Sequence, residues 1–568
     1  MRLANLHIKN FRKIENLTIN FSEGISLIVG ENNCGKTAII DALRLILFSG
    51  NDYSSLRINE DDFRRSSNIL PIEISCEFTD LSEEEEAYYI ECLVPTSDST
   101  FDMCINLRAT LNQKTLKPNI KVWGGMTEGG AVPSNLRDKF NCVYLQPLRD
   151  PSLGLRPGVN SQISHLLKSI TSLEEEEEFV QMAKTANEGI HSLEPITKAQ
   201  GKVDEQFVSI TGEEMAQKTS LIFIEPTFSR IIAGLQTEID DMPFLLNGLG
   251  YNNLIFTSIT LGAFDVNRDD FFKAILIEEP EAHLHPQLQV LLFRYLVNVV
   301  KEKKIKNLQI IVTSHSPILA SQASINSVIS VSENDKIVSC MSVSSIQFED
   351  EKIKKKLERY LDATRAELFF ARKIIMVEGI SEALLMPILA KICKGDLKES
   401  GVTIINTNGL NFNAFIPLFK KDGLPMKVAI ISDGDPSKDS DDISYTARGL
   451  ESVVDECPNM HVGINKITFE HELACSKELL PYMLEAFKSM HKKLGAELEK
   501  QLDLINGDIN FNAESFFSKF VESKSSKGIF AQELAAILED NMGEIPKNAV
   551  PKYISDTFVF LGVIENEI

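Results

Sequence analysis

"GENNCGKT", Gly30 to Thr37, follows the apolar run "ISLIV" (Ile25 to Val29) and opens "TAIIDALRLIL", whose apolar residues recur at helical spacing. Strand, glycine-rich turn and helix, in that order, are the setting in which G-x-x-x-x-G-K-[ST] cradles phosphate. Gly30 and Gly35 let the backbone curl, so that N–H groups of the turn, Asn32 and Asn33 among them, face the phosphates. The helix N-terminus adds a favourable field. Lys36 is placed to reach the β- and γ-phosphates, and Thr37 to ligate Mg²⁺. The expected fold is an α/β P-loop unit, and the expected nucleotide is ATP.

A P-loop needs an acidic partner on a neighbouring strand. "AILIEEPEAHLHP" (Ala274 to Pro286) supplies one, an apolar strand ending in Glu278 and Glu279. The first carboxylate suits the Mg²⁺ shell and the second the polarisation of an attacking water. Many such ATPases carry Asp at the first position. Glu278 is one methylene longer, which favours contact with Mg²⁺ through water. His283 and His285 lack a third strong ligand at zinc spacing. "IIVTSHSP" (Ile310 to Pro317) is another apolar strand with a polar turn, and its His315 is a candidate contact for the γ-phosphate.

The bulk numbers agree with an intracellular enzyme. The 568 residues exceed one core and call for two to four domains. Hydrophobic content of 43% and charged content of 24% are those of a globular protein. No apolar run reaches membrane-spanning length. "MRLANLHIKNFRKIE" lacks the apolar stretch of a secretory signal. The nine cysteines are scattered without a CxxC pair and read as reduced thiols, so a cytoplasmic location with no membrane partner is expected. A net charge of −23 excludes a uniformly basic coat for nucleic acid. DNA recognition is then left to a local basic patch or to carboxylates that hold cations. "EKIKKKLER" (Glu351 to Arg359) reads as the solvated face of a connecting helix.

The pattern along the chain divides it. Residues 1–157 and 219–345 alternate strands and helices, as one ATPase domain in two parts. Between them, 158–218 is acidic and helical, including "SLEEEEEFVQMAKTANEGI", and is expected to be an inserted dimerisation arm. Residues 346–367 read as a linker. Residues 368–480 hold the short apolar strands "KIIMV", "GVTIIN" and "VAIIS" at helix-length spacing, the rhythm of a small parallel sheet. Residues 481–568 are mostly helical.

In that second α/β unit, "MVEGISE" (Met376 to Glu382) sets Glu378 at a strand end, with Glu382 four residues on and on the same helix face. "VAIISDGDPSK" sets Asp433 and Asp435 at the end of another strand. Parallel strands bring such ends to one edge. Four carboxylates there repel one another unless cations sit between them, and hard oxygen ligands favour Mg²⁺ or Mn²⁺.

These motifs carry two resemblances. The order of P-loop, "EEPEAHLHP" and "TSHSP", with "IKNFRKIENLTINF" at the start, resembles ABC-type ATPase heads of the SMC and RecF kind. In those heads two copies sandwich ATP beneath a signature loop. "LNGLGYNNLIF" (Leu246 to Phe256) is the candidate loop, with Asn247 where the usual pattern has Ser, and "YLQPLRD" places Gln146 where a Q-loop residue stands. The Glu-Gly and Asp-x-Asp pair resembles the TOPRIM module. A head followed by TOPRIM is similar to the OLD (overcoming lysogenization defect) family of ATP-dependent endonucleases over nearly the whole chain. That resemblance implies that "ITFEHELA" carries further metal ligands, Glu470 and Glu472, and that Lys527 in "SKGIFAQELAAIL" is a catalytic lysine. It implies two-metal DNA cleavage, with cations about 3.5–4 Å apart, in a homodimer or higher homo-oligomer. It also implies bacterial defence against phage, in some members with a separately encoded helicase-like or reverse-transcriptase partner. The alternative is a non-cleaving SMC- or RecF-like ATPase clamp that uses TOPRIM to dock on DNA in repair.

Overall fold

Strand Phe272–Glu278 is buried at every position, as a parallel strand covered on both faces must be. The computed structural model describes residues 1–48, 56–65, 69–98, 100–112, 114–128, 139–147, 155–159, 161–239, 242–264, 270–302, 307–421, 423–436, 444–502 and 507–565. There the strand belongs to a six-stranded sheet of order Ile337–Ser342, Val328–Asn334, Ile25–Val29, Leu308–Ser314, Phe272–Glu278, Phe140–Leu145. All its pairings are parallel except that of the edge strand Ile337–Ser342. The C-terminal ends of the P-loop strand, Leu308–Ser314 and Phe272–Glu278 therefore meet at one edge.

A second, antiparallel sheet runs Ile14–Asn20, Arg2–Phe11, Ile72–Thr79, Phe101–Leu111, Leu93–Pro95, with Pro118–Gly124 also paired to Phe101–Leu111. Ile72–Thr79 alternates strictly, with Ile72, Ile74, Cys76 and Phe78 buried, the mark of a sheet with one covered face. Helix Lys36–Leu47 fills the space between the two sheets. Its Ile39, Leu43 and Ile46 share a core with Leu6 and Ile74 on one side and Leu276 and Ile311 on the other.

The helices Gln162–Ile170, Leu173–His191 and Glu194–Thr211 follow. The glutamate run begins at a capping box, in which Ser172 accepts from the Glu175 amide and Glu175 accepts from the Ser172 amide. Few side chains of these helices are buried, and Leu173, Met182 and Ile210 are exposed. Among the described residues no helix is long and apolar enough to cross a membrane.

The third sheet is parallel, in the order Val402–Asn406, Lys373–Val377, Lys427–Ser432, Met460–Ile464. Its period-two alternation divides the side chains between two cores. Ile374, Met376, Val428 and Ile430 pack in the cluster that also holds Leu27, Ile277 and Val312 of the P-loop sheet. Ile375, Val377, Ala429 and Ile431 pack with the C-terminal helices, through Phe487, Phe516, Phe530 and Phe558. The segment between the α/β units is part of this packing. Helix Glu351–Tyr360 buries Leu357, and the 3₁₀ turn Arg365–Phe370 buries Ala366, Leu368 and Phe369 in the first of these two cores. Arg365 donates to the Asn406 carbonyl at 2.8 Å and to Asp362 at 2.7 Å.

Candidate functional sites

The nucleotide site is built by the turn after Ile25–Val29. Gly30 and Gly35 have φ of 154° and 108°, and a Cβ on Gly30 would collide with the Val331 carbonyl. Asn33 adopts the left-handed region at φ 65°. Lys36 Nζ donates to the carbonyls of Gly30 at 2.9 Å and Glu31 at 2.7 Å, and lies 3.2 Å from His315 Nδ1. Burial lowers its pKa. His315 Nε2 is 3.1 Å from Glu279 Oε1, so lysine, histidine and glutamate form one line across the strand ends. Burial, followed by the Lys36 charge, lowers the His315 pKa. A cavity of about 770 Å³ opens over this line, bounded by Asn32, Asn33, Thr37, Glu279, His315 and Arg12 among others.

Glu278, last residue of strand Phe272–Glu278, precedes Glu279 and does not itself line the cavity. It is buried and accepts a hydrogen bond from the Tyr144 hydroxyl, and burial raises its pKa against the opposing effects of Tyr144 and Thr37. Gln146 is exposed just beyond Phe140–Leu145, at the same sheet edge, and does not line the cavity. Gly250 packs against the His283 carbonyl, where a Cβ would come within 2.6 Å. This tucks the candidate signature segment under the turn that follows Glu279.

The carboxylate site forms at the edge of the third sheet, where adjacent strands Lys373–Val377 and Lys427–Ser432 end. Glu378 Oε1 accepts from Ser432 Oγ at 2.6 Å and from the Asp433 amide at 2.8 Å. Asp433 Oδ1 accepts from Asn465 Nδ2 at 2.6 Å. Asn465 Oδ1 in turn accepts from the Gly434 amide at 3.1 Å, so Asn465 clasps the Asp-Gly-Asp turn from the next strand end. Glu382 Oε2 accepts from the Gly379 amide at 3.1 Å, closing the first turn of helix Ile380–Ile392. Lys527, first residue of helix Lys527–Asp540, donates to Glu470 Oε2 at 2.9 Å.

The electrostatics bind these groups together. Burial pushes the Glu382 carboxyl up to about 7, with Glu470 and Glu378 adding to it. Burial likewise pushes Asp433 up to about 7, with help from Glu378 and Glu382. Glu378 is raised by burial and by Asp435. Burial works to lower the Lys527 pKa, but Glu470, Asp433 and Glu382 outweigh it and the net direction is up. Asp435 is exposed and Asp433 buried. Glu472 lies at the margin of the cluster, beside Tyr553, which also feels Asp433 and Glu382. Its charge is felt by His471, Cys475 and Tyr553.

Among the described residues, no group of three or more His, Cys, Asp or Glu side chains stands ready-made around a metal ion. The donor chemistry nevertheless fits a hard divalent cation. Buried carboxylates with raised pKa values are the groups a cation relieves. Glu470 Oε1 and Glu472 Oε2 are buried without a hydrogen-bond partner among the described residues.

The AAA ATPase domain family matches residues 1–123 and 139–320, and the overcoming lysogenization defect protein-like TOPRIM domain matches residues 369–435. The chain belongs to the OLD family. Endonuclease GajA of Bacillus cereus strain VD045 is 24% identical to this OLD-family chain over 433 residues, 73% of this chain and 72% of the relative. The OLD nuclease of Thermus scotoductus is 26% identical over 413 residues, 67% of this chain and 72% of the relative. The SMC head bound to the C-winged helix domain of ScpA is 17% identical and covers 62% of this chain and all of its own. Its TM-score is 0.36, so the family assignment rests on the sequence matches.

Several residues of the OLD-family sites escape sequence reasoning. Arg12 and Lys13, in the turn between the first two strands, line the nucleotide cavity. Arg12 is held there by Asp41 at 2.7 Å and Asp62 at 2.8 Å. Glu281 accepts from Ser314 Oγ at 3.0 Å and the His315 amide at 2.6 Å, fixing the turn that carries His315. Asn465 follows an apolar strand, which is the available signal. Tyr144 carries none.

Proposed function

We propose that this protein is an ATP-hydrolysing, divalent-cation-dependent DNA endonuclease, in which the P-loop unit governs cutting at the TOPRIM edge. The observation that carries the reading is the convergence of Glu378, Glu382, Asp433, Glu470 and Lys527, from four separated segments, on one sheet edge. The two nuclease relatives support it.

At the nucleotide site the amides of Asn32, Asn33 and Gly35 hold the phosphates, and Lys36 exchanges its carbonyl partners for phosphate oxygens. Thr37 and Glu278 would hold Mg²⁺. Glu279, aligned by His315, polarises the attacking water. Glu279→Gln is expected to keep nucleotide affinity but to lower turnover by about 10²–10⁴-fold, since an amide cannot take the proton. Nucleotide binding and phosphate release measured on one preparation check this.

At the TOPRIM edge Glu378, Glu382, Asp433 and Asp435 would hold the cations, with Glu470 and Glu472 completing the set. A bound cation there supplies Lewis-acid activation of water and neutralises the phosphate. Asn465 keeps the Asp433 turn closed, and Lys527 offsets charge developing on the scissile phosphate. The exposed Leu173, Met182 and Ile210 support a self-association arm in residues 158–218. A role in bacterial defence against phage, in a cytoplasmic homo-oligomer with a separately encoded helicase-like or reverse-transcriptase partner, follows from the family resemblance.

The test is nicking of supercoiled plasmid in Mg²⁺ or Mn²⁺. Chelation should abolish it, and added metal should restore it. Cutting that survives chelation would refute the cation-dependent reading.

A further inference from the structure

Four exposed apolar side chains sit on the segments that form the carboxylate edge. They are Ile380 at 51% exposure, Leu410 at 42%, Tyr445 at 92% and Ile529 at 56%. Each is tied to a residue of the edge through the backbone. Ile380 and Ile529 are each two residues beyond Glu378 and Lys527. A Cβ on Gly528 would come within 3.0 Å of Ile380 Cγ2, so these two segments abut. Leu410 follows Gly409, whose amide donates to the Glu378 carbonyl at 2.7 Å. Tyr445 follows Ser444, whose amide donates to the Gly434 carbonyl, between the two aspartates, at 2.8 Å.

Isolated exposed apolar residues are ordinary on protein surfaces. Four of them on the segments that carry one buried charged cluster single out that edge as a binding surface. The apolar part of a nucleic acid is the face of its bases. A duplex hides those faces by stacking and offers phosphates and groove edges instead, whereas an unpaired nucleotide exposes them to aromatic and aliphatic partners. The edge also provides for the phosphates. Helix Lys527–Asp540 starts there without a side-chain hydrogen bond at its cap, which leaves first-turn amides for an anion, whereas the Gly379 amide at the start of helix Ile380–Ile392 is taken by Glu382.

We propose that the TOPRIM edge takes DNA with unpaired nucleotides beside the scissile phosphate, with Tyr445 as the stacking platform and Ile380, Leu410 and Ile529 as the apolar rim. The proposal rests on the nuclease reading above and specifies its substrate class. It makes Tyr445 a specificity residue, in contact with a base and remote from the proton and metal chemistry.

The experiment uses the full chain and three DNAs of one sequence: single strand, perfect duplex, and duplex with a central bubble of mismatches. Initial cleavage rates are measured in Mg²⁺ and in Mn²⁺ for wild type, Tyr445→Ala and Tyr445→Phe. Wild type should cut the single strand and the bubble at least about tenfold faster than the duplex. Tyr445→Ala should lower cutting of the unpaired substrates by about 5- to 150-fold, the equivalent of one stacked base, while duplex cutting changes by less than about twofold. Tyr445→Phe should retain the preference. Wild-type cutting without preference, or an equal loss on all three DNAs in Tyr445→Ala, would overturn this proposal and leave the nuclease reading standing. No wild-type cutting of any DNA in either metal would sink both.

Discussion

Asp433→Ala protein is expected to leave supercoiled DNA intact while hydrolysing ATP at close to the wild-type rate. Asp433 stands at the centre of the TOPRIM edge, beside Glu378 and in the clasp of Asn465. Removing its carboxylate deletes a cation donor and leaves Asn465 Nδ2 without its acceptor. Groups that share cations fail as a unit, so loss of one ligand removes most of the rate, about 10³-fold or more. Lys527→Ala should also stop cutting, by about 10²–10³-fold, while retaining metal and DNA binding, because Lys527 contributes charge and no ligand atom. Both proteins are to be assayed for nicking and phosphate release on one preparation, with thermal melting to verify folding. Well-folded Asp433→Ala and Lys527→Ala proteins that still cut would remove the TOPRIM edge from the cutting chemistry and leave it the docking role of the clamp reading.

Lys36→Ala is expected to weaken ATP binding by about 10- to 150-fold and to abolish hydrolysis. A hydrogen bond to a charged group contributes about 1.5–3 kcal/mol, which sets the binding figure through the usual tenfold per 1.4 kcal/mol. The structure adds a second cost. Nζ ties together the Gly30 and Glu31 carbonyls of the same turn, so the alanine variant loses part of what shapes the phosphate cradle. The carboxylate edge lies in another sheet and should keep its cations. Isothermal titration with ATP and with Mn²⁺ separates the two effects. Unchanged ATP turnover would discard the nucleotide-site assignment.

Much of this was legible in the sequence because local rules fix it. "ISLIVGENNCGKT" specifies strand, turn and helix through its residues alone, and "AILIE" and "VAIISD" announce buried parallel strands that end in acid. Contacts between segments far apart in the chain were not legible. Glu281 fixes His315, 34 positions away, and Asn465 clasps Asp433, 32 positions away. Neither has a spacing that a pattern can register, because the loop lengths between strands do not enter the chemistry. The same holds for Arg12, whose position in the cavity depends on pairing with Asp41 of helix Lys36–Leu47 and Asp62 of the turn Glu60–Asp62. The apolar rim shows the converse limit. Ile380 and Ile529 read as ordinary helix residues until the fold shows that both remain in solvent.

The sheet that carries Glu378 and Asp433 is a party wall. One face belongs to the core it shares with the P-loop strands and the other to the C-terminal helices. Separating the halves at residues 346–367 would bare the first face, so the two enzymes are not independent folding units and should melt as one. Binding energy is then common property. A nucleotide at 100 times its dissociation constant stabilises the fold by about 2.7 kcal/mol. Strands that never touch it share that stabilisation, and they are the strands on which the scissile phosphate would rest.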